Sequence, residues 1–432
     1  MNKQMNRLAA ALCLALMFGA AHGQSGMRPE IGKPLQAAEA LIKSGKYREA
    51  LGKVREAEAV GGKSGAETTM IERMRLAAAS GAGDADTAAR SFEALGGGMS
   101  GAEKLRTIES IAGSYYRAKE YAKAQQWYAR YFREGGTSAA NRTLMIQTQY
   151  LSGDLAGATK QLMAEIQATE RNGATPGEDR INLLMNAAVR QRDVGAEAFA
   201  LERLVTYYPK KEYWVNLLSR LQRKPNFSDR LALDTYRLSL ATGSMTAAND
   251  YSEMAQLALQ AGSGAEARQV VDKGFAAGAL GAGPEAERHK RLRDLVAKRV
   301  DEAKKTAADD EKVALAAKDG NDLVTIGMNQ VFEGQKAKGI ALMQQGIAKG
   351  GLKRPEDAKL HLAIAQLVVG DNAKAQATLK TVSGNDGTGD LARLWALYAR
   401  RAYSAHSRAR SPAPSLPETV FKVACAFALS PA

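Results

Sequence analysis

The chain reads as all-α, a solenoid of stacked helix–turn–helix units. Three observations lead there. First, 80 alanines and 41 glycines make up 121 of the 432 residues, while aromatics supply only 6%. Alanine is the best helix former, and few β-branched or aromatic residues argue against a large sheet. A hydrophobic fraction of 45% is too high for a disordered chain. Second, one short pattern recurs along the sequence: a turn residue, then a small residue that opens an apolar stripe. Third, that stripe has the period of a helix, with apolar residues at i, i+4 and i+7 or i+8.

In chain order, the first element is an address. Lys3 and Arg7 form a basic region, and residues 8–18 (LAAALCLALMF) an apolar one of 11 residues. Ala21-His22-Gly23 then puts small residues at minus three and minus one, with Gln24 following. This is the layout of a secretory signal peptide over 1–23. The apolar run falls short of the roughly 20 residues that a spanning helix needs. Leu12 precedes Cys13, where a lipoprotein signal would carry a small residue. The expected location is therefore the periplasm of a Gram-negative cell, with no integral membrane segment after cleavage. Cys425 would then be the only cysteine, so the mature chain would form no intramolecular disulfide.

The repeats follow. The pattern runs Gly45-Lys-Tyr47-Arg-Glu-Ala50, Gly83-Asp-Ala85-Asp-Thr-Ala88, Lys119-Glu-Tyr121-Ala-Lys-Ala124 and Gly153-Asp-Leu155-Ala-Gly-Ala158. Later copies are Gly262-Ser-Gly264-Ala-Glu-Ala267, Gly334-Gln-Lys336-Ala-Lys-Gly339 and Gly370-Asp-Asn372-Ala-Lys-Ala375. Ala196, Ala232 and Ala303 fill the intervals, although Ala196 lacks the usual turn residue. The ten anchors stand 38, 36, 34, 38, 36, 35, 36, 36 and 36 residues apart. A turn glycine in the left-handed region ends one helix. The next helix buries stripes such as Ala50/Val54/Ala57, Ala124/Tyr128/Tyr131 and Ala375/Leu379/Val382. The anchor is small because two helices cross there. The helix before each turn is periodic too, as in Leu35/Ala38/Ile42.

On these residues the chain resembles the tetratricopeptide repeat family. Its unit is a helix pair of about 34 residues, with a turn glycine, an aromatic two residues on and an alanine three further. The copy with Tyr115, Tyr121 and Ala124 matches best, and Pro209 stands where that family often has proline. The resemblance covers about residues 30–400, and the whole chain is similar to exported repeat proteins of Gram-negative bacteria. It implies a right-handed superhelix whose first helices line a concave groove for protein or peptide partners. The groove positions that it implies are Arg106, Glu109, Gly113, Tyr116 and Arg117 in the third copy, and Asn249, Ser252, Gln256 and Gln260 in the seventh. The lysine and asparagine clamp that some members use for peptide carboxylates is not evident in the first three copies.

Two stretches depart from the pattern. Residues 284–318 read as one long charged helix with a thin stripe of Leu292, Leu295, Val296, Val300, Ala303 and Ala307. It would separate an N-terminal array (24–283) from a C-terminal one (319–400). Residues 401–432 read as a basic linker with Pro412, Pro414 and Pro417, which forbid a continuous helix, followed by an apolar end too short to span a bilayer.

Candidate chemistry is sparse. His289, His361 and His406 have no cysteine or carboxylate at ligand spacing, so no metal is expected. Gly62-Lys63-Ser64 looks like the end of a phosphate loop, but residue 57 is alanine and a helix precedes it. No serine or cysteine is grouped with a base. Neither a cofactor nor enzymatic activity is expected. Two aromatic clusters stand out, Tyr115 to Phe132 and Tyr207 to Trp214, the second beside Lys210 and Lys211; most of their members read as packing between repeats, with Tyr116 and Arg117 as exceptions.

The formal net charge is +14. Setting aside +2 in the leader and +4 in residues 400–432 leaves +8 over the array, too little in an exported chain to argue for nucleic acid. The reading is a periplasmic scaffold for protein–protein interaction in a cell-envelope complex. The alternative is a binder of anionic lipid or glycan at the envelope surface, in peripheral contact with it.

Overall fold

The structure is a computed structural model that describes residues 27–410. The expected signal peptide and most of the expected tail lie outside the described residues. Within them the chain forms twenty α-helices, one short 3-10 turn and no strand. The architecture is the expected all-α solenoid of helix–turn–helix repeats.

The described residues divide into two compact units, with the boundary after Glu197. The first unit holds α1 (Pro29–Lys43), α2 (Tyr47–Glu58), α3 (Gly65–Ala82), α4 (Ala85–Leu95), α5 (Gly101–Arg117), α6 (Tyr121–Arg133), α7 (Ala139–Ser152), α8 (Leu155–Arg171) and α9 (Glu178–Gln191). The boundary falls within α10 (Val194–Tyr207). Each second helix packs against the first helix of its own pair, and first helices also meet their successors, α1 with α3 and α3 with α5.

The small anchors explain this packing. Ala50, Ala88, Ala124 and Ala158 are each the fourth residue of a second helix, and all are sealed from solvent. Turn glycines such as Gly83 and Gly153 take positive φ of 75° and 90° and close the preceding helix. The fifth copy has its turn after all. Arg192 takes φ 58°, the backbone conformation glycine adopts elsewhere, and Asp193 Oδ1 accepts from Ala196 N at 2.9 Å. Lys119 does the same at φ 61° in the third copy. Gly62-Lys63-Ser64 also has a structural role. Lys63 Nζ donates to the carbonyls of Glu58 and Val60, each at 2.7 Å, and Ser64 caps α3.

The second unit continues with α11 (Lys211–Gln222), α12 (Ala232–Thr242), α13 (Ala248–Gln260), α14 (Gly264–Ala276), α15 (Ala286–Ala316), α16 (Asn321–Phe332), α17 (Lys336–Lys349), α18 (Pro355–Val368), α19 (Asn372–Leu379) and α20 (Thr388–Arg410). Two anchors fail here. Residues 223–231, with their 3-10 turn, shift the sixth pair, so that Ala232 opens α12 only half-buried while Thr235, its fourth residue, is buried. Ala303 is exposed in the middle of α15, which runs straight through the expected turn. The expected stripe of α15 is likewise only half right. Leu292, Val296 and Val300 are buried, whereas Leu295, Ala303 and Ala307 are exposed.

Polar contacts tie distant repeats of this unit together. Arg230 Nη2 donates to Asp357 Oδ1 and Asp386 Oδ2, each at 2.8 Å, and to Thr388 Oγ1 at 3.0 Å. Ser228 N donates to the carbonyl of Asp386 at 2.9 Å. The start of α12 is thereby fastened to α18 and to the approach to α20.

Candidate functional site

The first set of expected binding residues lies along one face of α5. At 100° per residue, Arg106, Glu109, Tyr116 and Arg117 fall within one side of the helix. Arg106, Glu109 and Arg117 are exposed and Tyr116 is half-buried. The Tyr116 hydroxyl donates to Gln147 Oε1 on α7 at 3.2 Å, and its ring meets Tyr121 edge-on at 5.8 Å. Arg117 turns back, donating to Ser114 Oγ at 2.9 Å and passing close to Gly113. The second set lies along one face of α13 in the other unit, with Asn249, Gln256 and Gln260 exposed and Ser252 half-buried. Each helix brings its own residues into a row, and the two rows belong to different units.

Most of the aromatic clusters serve packing. Tyr115, Tyr128, Tyr131 and Trp214 are buried. Phe92 meets Trp127 edge-on at 5.4 Å, which joins α4 to α6, and the Arg130 guanidinium lies 4.8 Å from the Phe92 ring centre.

The second unit also holds a half-open pocket of about 150 Å³ that sequence reasoning did not find. Its walls come from α12, α13, α14, α16, α18 and α20. Leu240, Met254, Val270, Phe332, Leu367 and Trp395 make most of its apolar surface. Gln269, Lys273, Val368 and Tyr398 also line it, and Val368 stays 41% exposed. Gln269 Nε2 is held by the carbonyl of Phe332 at 2.6 Å. Lys273 is exposed and bound to no carboxylate among the described residues. Trp395 and Tyr398 meet edge-on at 5.7 Å, and the indole Nε1 is buried with no hydrogen-bond partner among the described residues.

One wall is ionic. Arg237 grips Glu266 with two parallel bonds, Nε to Oε1 at 2.7 Å and Nη2 to Oε2 at 2.6 Å. Its Nη1 donates to Asp234 Oδ1 at 2.7 Å, and His361 Nε2 lies 3.1 Å from the Asp234 carboxylate. All three charged groups on α12 and α14 are buried. Burial alone would push the Asp234 carboxyl up, but His361 and Arg237 hold it well below the usual carboxylate range. The network therefore fixes α12, α14 and α18 behind the apolar surface.

The cavity has the size of one aromatic ring or one branched aliphatic side chain. A mostly apolar pocket of this volume has room for a benzene-sized group. The signal that could have located it is weak in sequence. Phe332 and Trp395 are isolated along the chain, and only the fold brings them together.

No protein-family model matches the chain. None of the curated proteins matches it either. Among solved structures, it is similar to the TPR2AB domain of yeast Sti1 in complex with pHSP90, at 13% identity, covering 70% of this chain and 95% of that one, with a TM-score of 0.22. It is also similar to yeast Tom70, at 10% identity, covering 90% of this chain and 98% of that one, with a TM-score of 0.23. The helix pairs, with small residues at their crossings and left-handed turns between them, define a helical-repeat protein. No described helix is long and apolar enough to cross a membrane.

Proposed function

We propose that the protein is an exported helical-repeat scaffold that binds a protein partner within a cell-envelope complex. The observation that carries this reading is the apolar cavity of the second unit. A partner's apolar side chain would fill it, because partner binding concentrates in a few anchors that enter desolvated pockets. The exposed ammonium of Lys273 and the amide of Gln269 lie beside it, suited to the polar rim that surrounds such an anchor. The row on α5, from Arg106 to Arg117, supplies a separate polar and aromatic contact surface, as expected where each repeat touches only its neighbours and leaves a face open.

The test is cross-linking and capture from periplasmic extract, with captured proteins identified by mass spectrometry. Val368→Glu places a carboxylate among the apolar walls, and Tyr116→Ala with Arg117→Ala strips the α5 row. The reading expects a defined set of envelope proteins that Val368→Glu loses by about tenfold, the equivalent of ~1.4 kcal/mol. Capture that neither variant changes, with both folded by circular dichroism, would overturn it. The exported location rests on the leader, and is checked by sequencing the mature N-terminus, expected at Gln24.

A further inference from the structure

A second concave site lies in the first unit and has the opposite chemistry. It is a depression of about 230 Å³ lined by Leu51, Arg55, Glu58, Arg75, Thr87 and Arg90. It is built from α2, α3 and α4, so three consecutive helices each bring an arginine to one place. None of its residues belongs to the cavity of the second unit or to the α5 row, so it stands or fails separately from the partner-binding reading.

The three arginines are unequal. Arg75 is mostly buried and is neutralised, with Nη1 2.6 Å from Glu72 Oε1 and Nη2 2.7 Å from Glu58 Oε1. Its charge is thus already met on both nitrogens, and Arg75 forms the back of the hollow. Arg90 is exposed, and one of its N–H bonds goes to the Thr87 hydroxyl at 3.1 Å. Arg55 is exposed, and its side chain meets no carboxylate among the described residues. Two guanidiniums without an ion-pair partner among the described residues therefore flank a polar hollow whose one lining carboxylate, Glu58, is already taken by Arg75.

We propose that this hollow binds a phosphate group carried on a larger molecule. Guanidinium forks match phosphate oxygens two at a time, which an ammonium cannot do. Arg55 and Arg90 would each meet one edge of the group. Its volume exceeds that of a free phosphate and leaves room for the start of the ester, against Leu51. The shared chemistry is a phosphoester, either on a soluble molecule or on a lipid headgroup.

The test uses the full exported chain and two probes, inorganic phosphate and sedimenting vesicles of phosphatidylcholine with or without phosphatidylglycerol. Phosphate is compared with chloride at equal ionic strength by thermal shift. The variants are Arg55→Ala with Arg90→Ala, both on exposed positions, and Lys304→Ala with Lys305→Ala on α15, which removes the same charge elsewhere. Arg55→Lys with Arg90→Lys keeps the charge and loses the forks. The site expects the arginine-to-alanine pair to weaken binding about tenfold or more, as for the loss of charge-assisted hydrogen bonds. The lysine-to-alanine control keeps binding, and the arginine-to-lysine pair loses part of it. A response to inorganic phosphate alone assigns a soluble phosphoester, and sedimentation only with phosphatidylglycerol assigns a headgroup. Binding of neither probe, or equal loss in both alanine pairs, overturns the proposal.

Discussion

Gly327 on α16 and Gly339 on α17 cross so closely that each backbone occupies the space a side chain would need. A Cβ on Gly339 would lie 2.4 Å from the carbonyl oxygen of Gly327, and one on Gly327 would lie 2.6 Å from that of Gly339. Gly320 and Gly346 repeat the arrangement along the same pair. Gly339 stands where other copies carry alanine, and this crossing is the reason. Alanine at 339 would gain about 1 kcal/mol of helix propensity. Forcing a methyl group into backbone contact costs more, so Gly339→Ala is expected to destabilise by a net ~1–3 kcal/mol. Gly52, inside α2, has nothing within 4 Å of its virtual Cβ. Gly52→Ala is expected to stabilise by about 0.5–1 kcal/mol. Urea midpoints at unchanged slope decide both, and a stabilising Gly339→Ala would refute the close crossing.

Arg192 and Lys119 hold turns that glycine holds elsewhere. A residue with a Cβ in the left-handed region costs roughly 1–2 kcal/mol, and glycine returns part of that gain through its freer unfolded chain. Arg192→Gly and Lys119→Gly are each expected to stabilise by a few tenths to about 1 kcal/mol on that balance. Both side chains are exposed, so few contacts are lost. Thermal unfolding of each variant is the check, and destabilisation by either would show that its side chain contributes more than the turn strain costs.

These same residues show why the repeats were legible and where legibility stopped. Small anchors such as Ala50 and Ala158 announce a helix crossing locally, because crossing geometry demands a small residue at one position. The fifth turn was hidden because Arg192 does glycine's work, and no rule about residue type reveals a strained φ. Ala303 misled for the opposite reason. In a chain this rich in alanine, a small residue at the right interval carries little information, and α15 shows no break there. The α5 row was readable as a helix face. The pocket was not, since its lining gathers residues as far apart in the chain as Arg237 and Tyr398, a meeting that no local period encodes.

The Arg237 and Glu266 pair is nearly sealed from solvent, with side chains 5% and 2% exposed. Removing one partner strands a buried charge, so Arg237→Met is expected to destabilise by about 3–5 kcal/mol. Replacing both by apolar groups removes that penalty, although Asp234 then keeps only His361 for company. Arg237→Met with Glu266→Leu is therefore expected to be less destabilising than Arg237→Met alone, giving a coupling of ~1–3 kcal/mol in a double-mutant cycle. Additive effects would show that the network contributes packing but no specific pairing.

Glu67 gives the clearest pH dependence. Its carboxylate accepts from Arg28 Nε at 3.0 Å and from the Ser64 backbone N–H at 2.8 Å. The Arg28 bonds, followed by that of Ser64, pull its pKa from an ordinary value near 4.5 to about 2. A carboxyl whose folded pKa is depressed stabilises the fold above its unfolded pKa, and that contribution disappears as pH falls through the folded value. The contribution of Glu67 is thus fully present above about pH 4.5 and is lost between there and about pH 2. Arg28→Ala is expected to return the Glu67 pKa toward its ordinary value and to move the acid loss of α3 protection to higher pH. Ser64→Ala removes the other side of the capping box and costs about 1 kcal/mol at neutral pH. Carboxyl chemical shifts of Glu67 across pH 2–6, with amide exchange of α3 in each variant, measure both. An unchanged Glu67 titration in Arg28→Ala would mean that the helix N-terminus, and not the guanidinium, holds the carboxylate ionised.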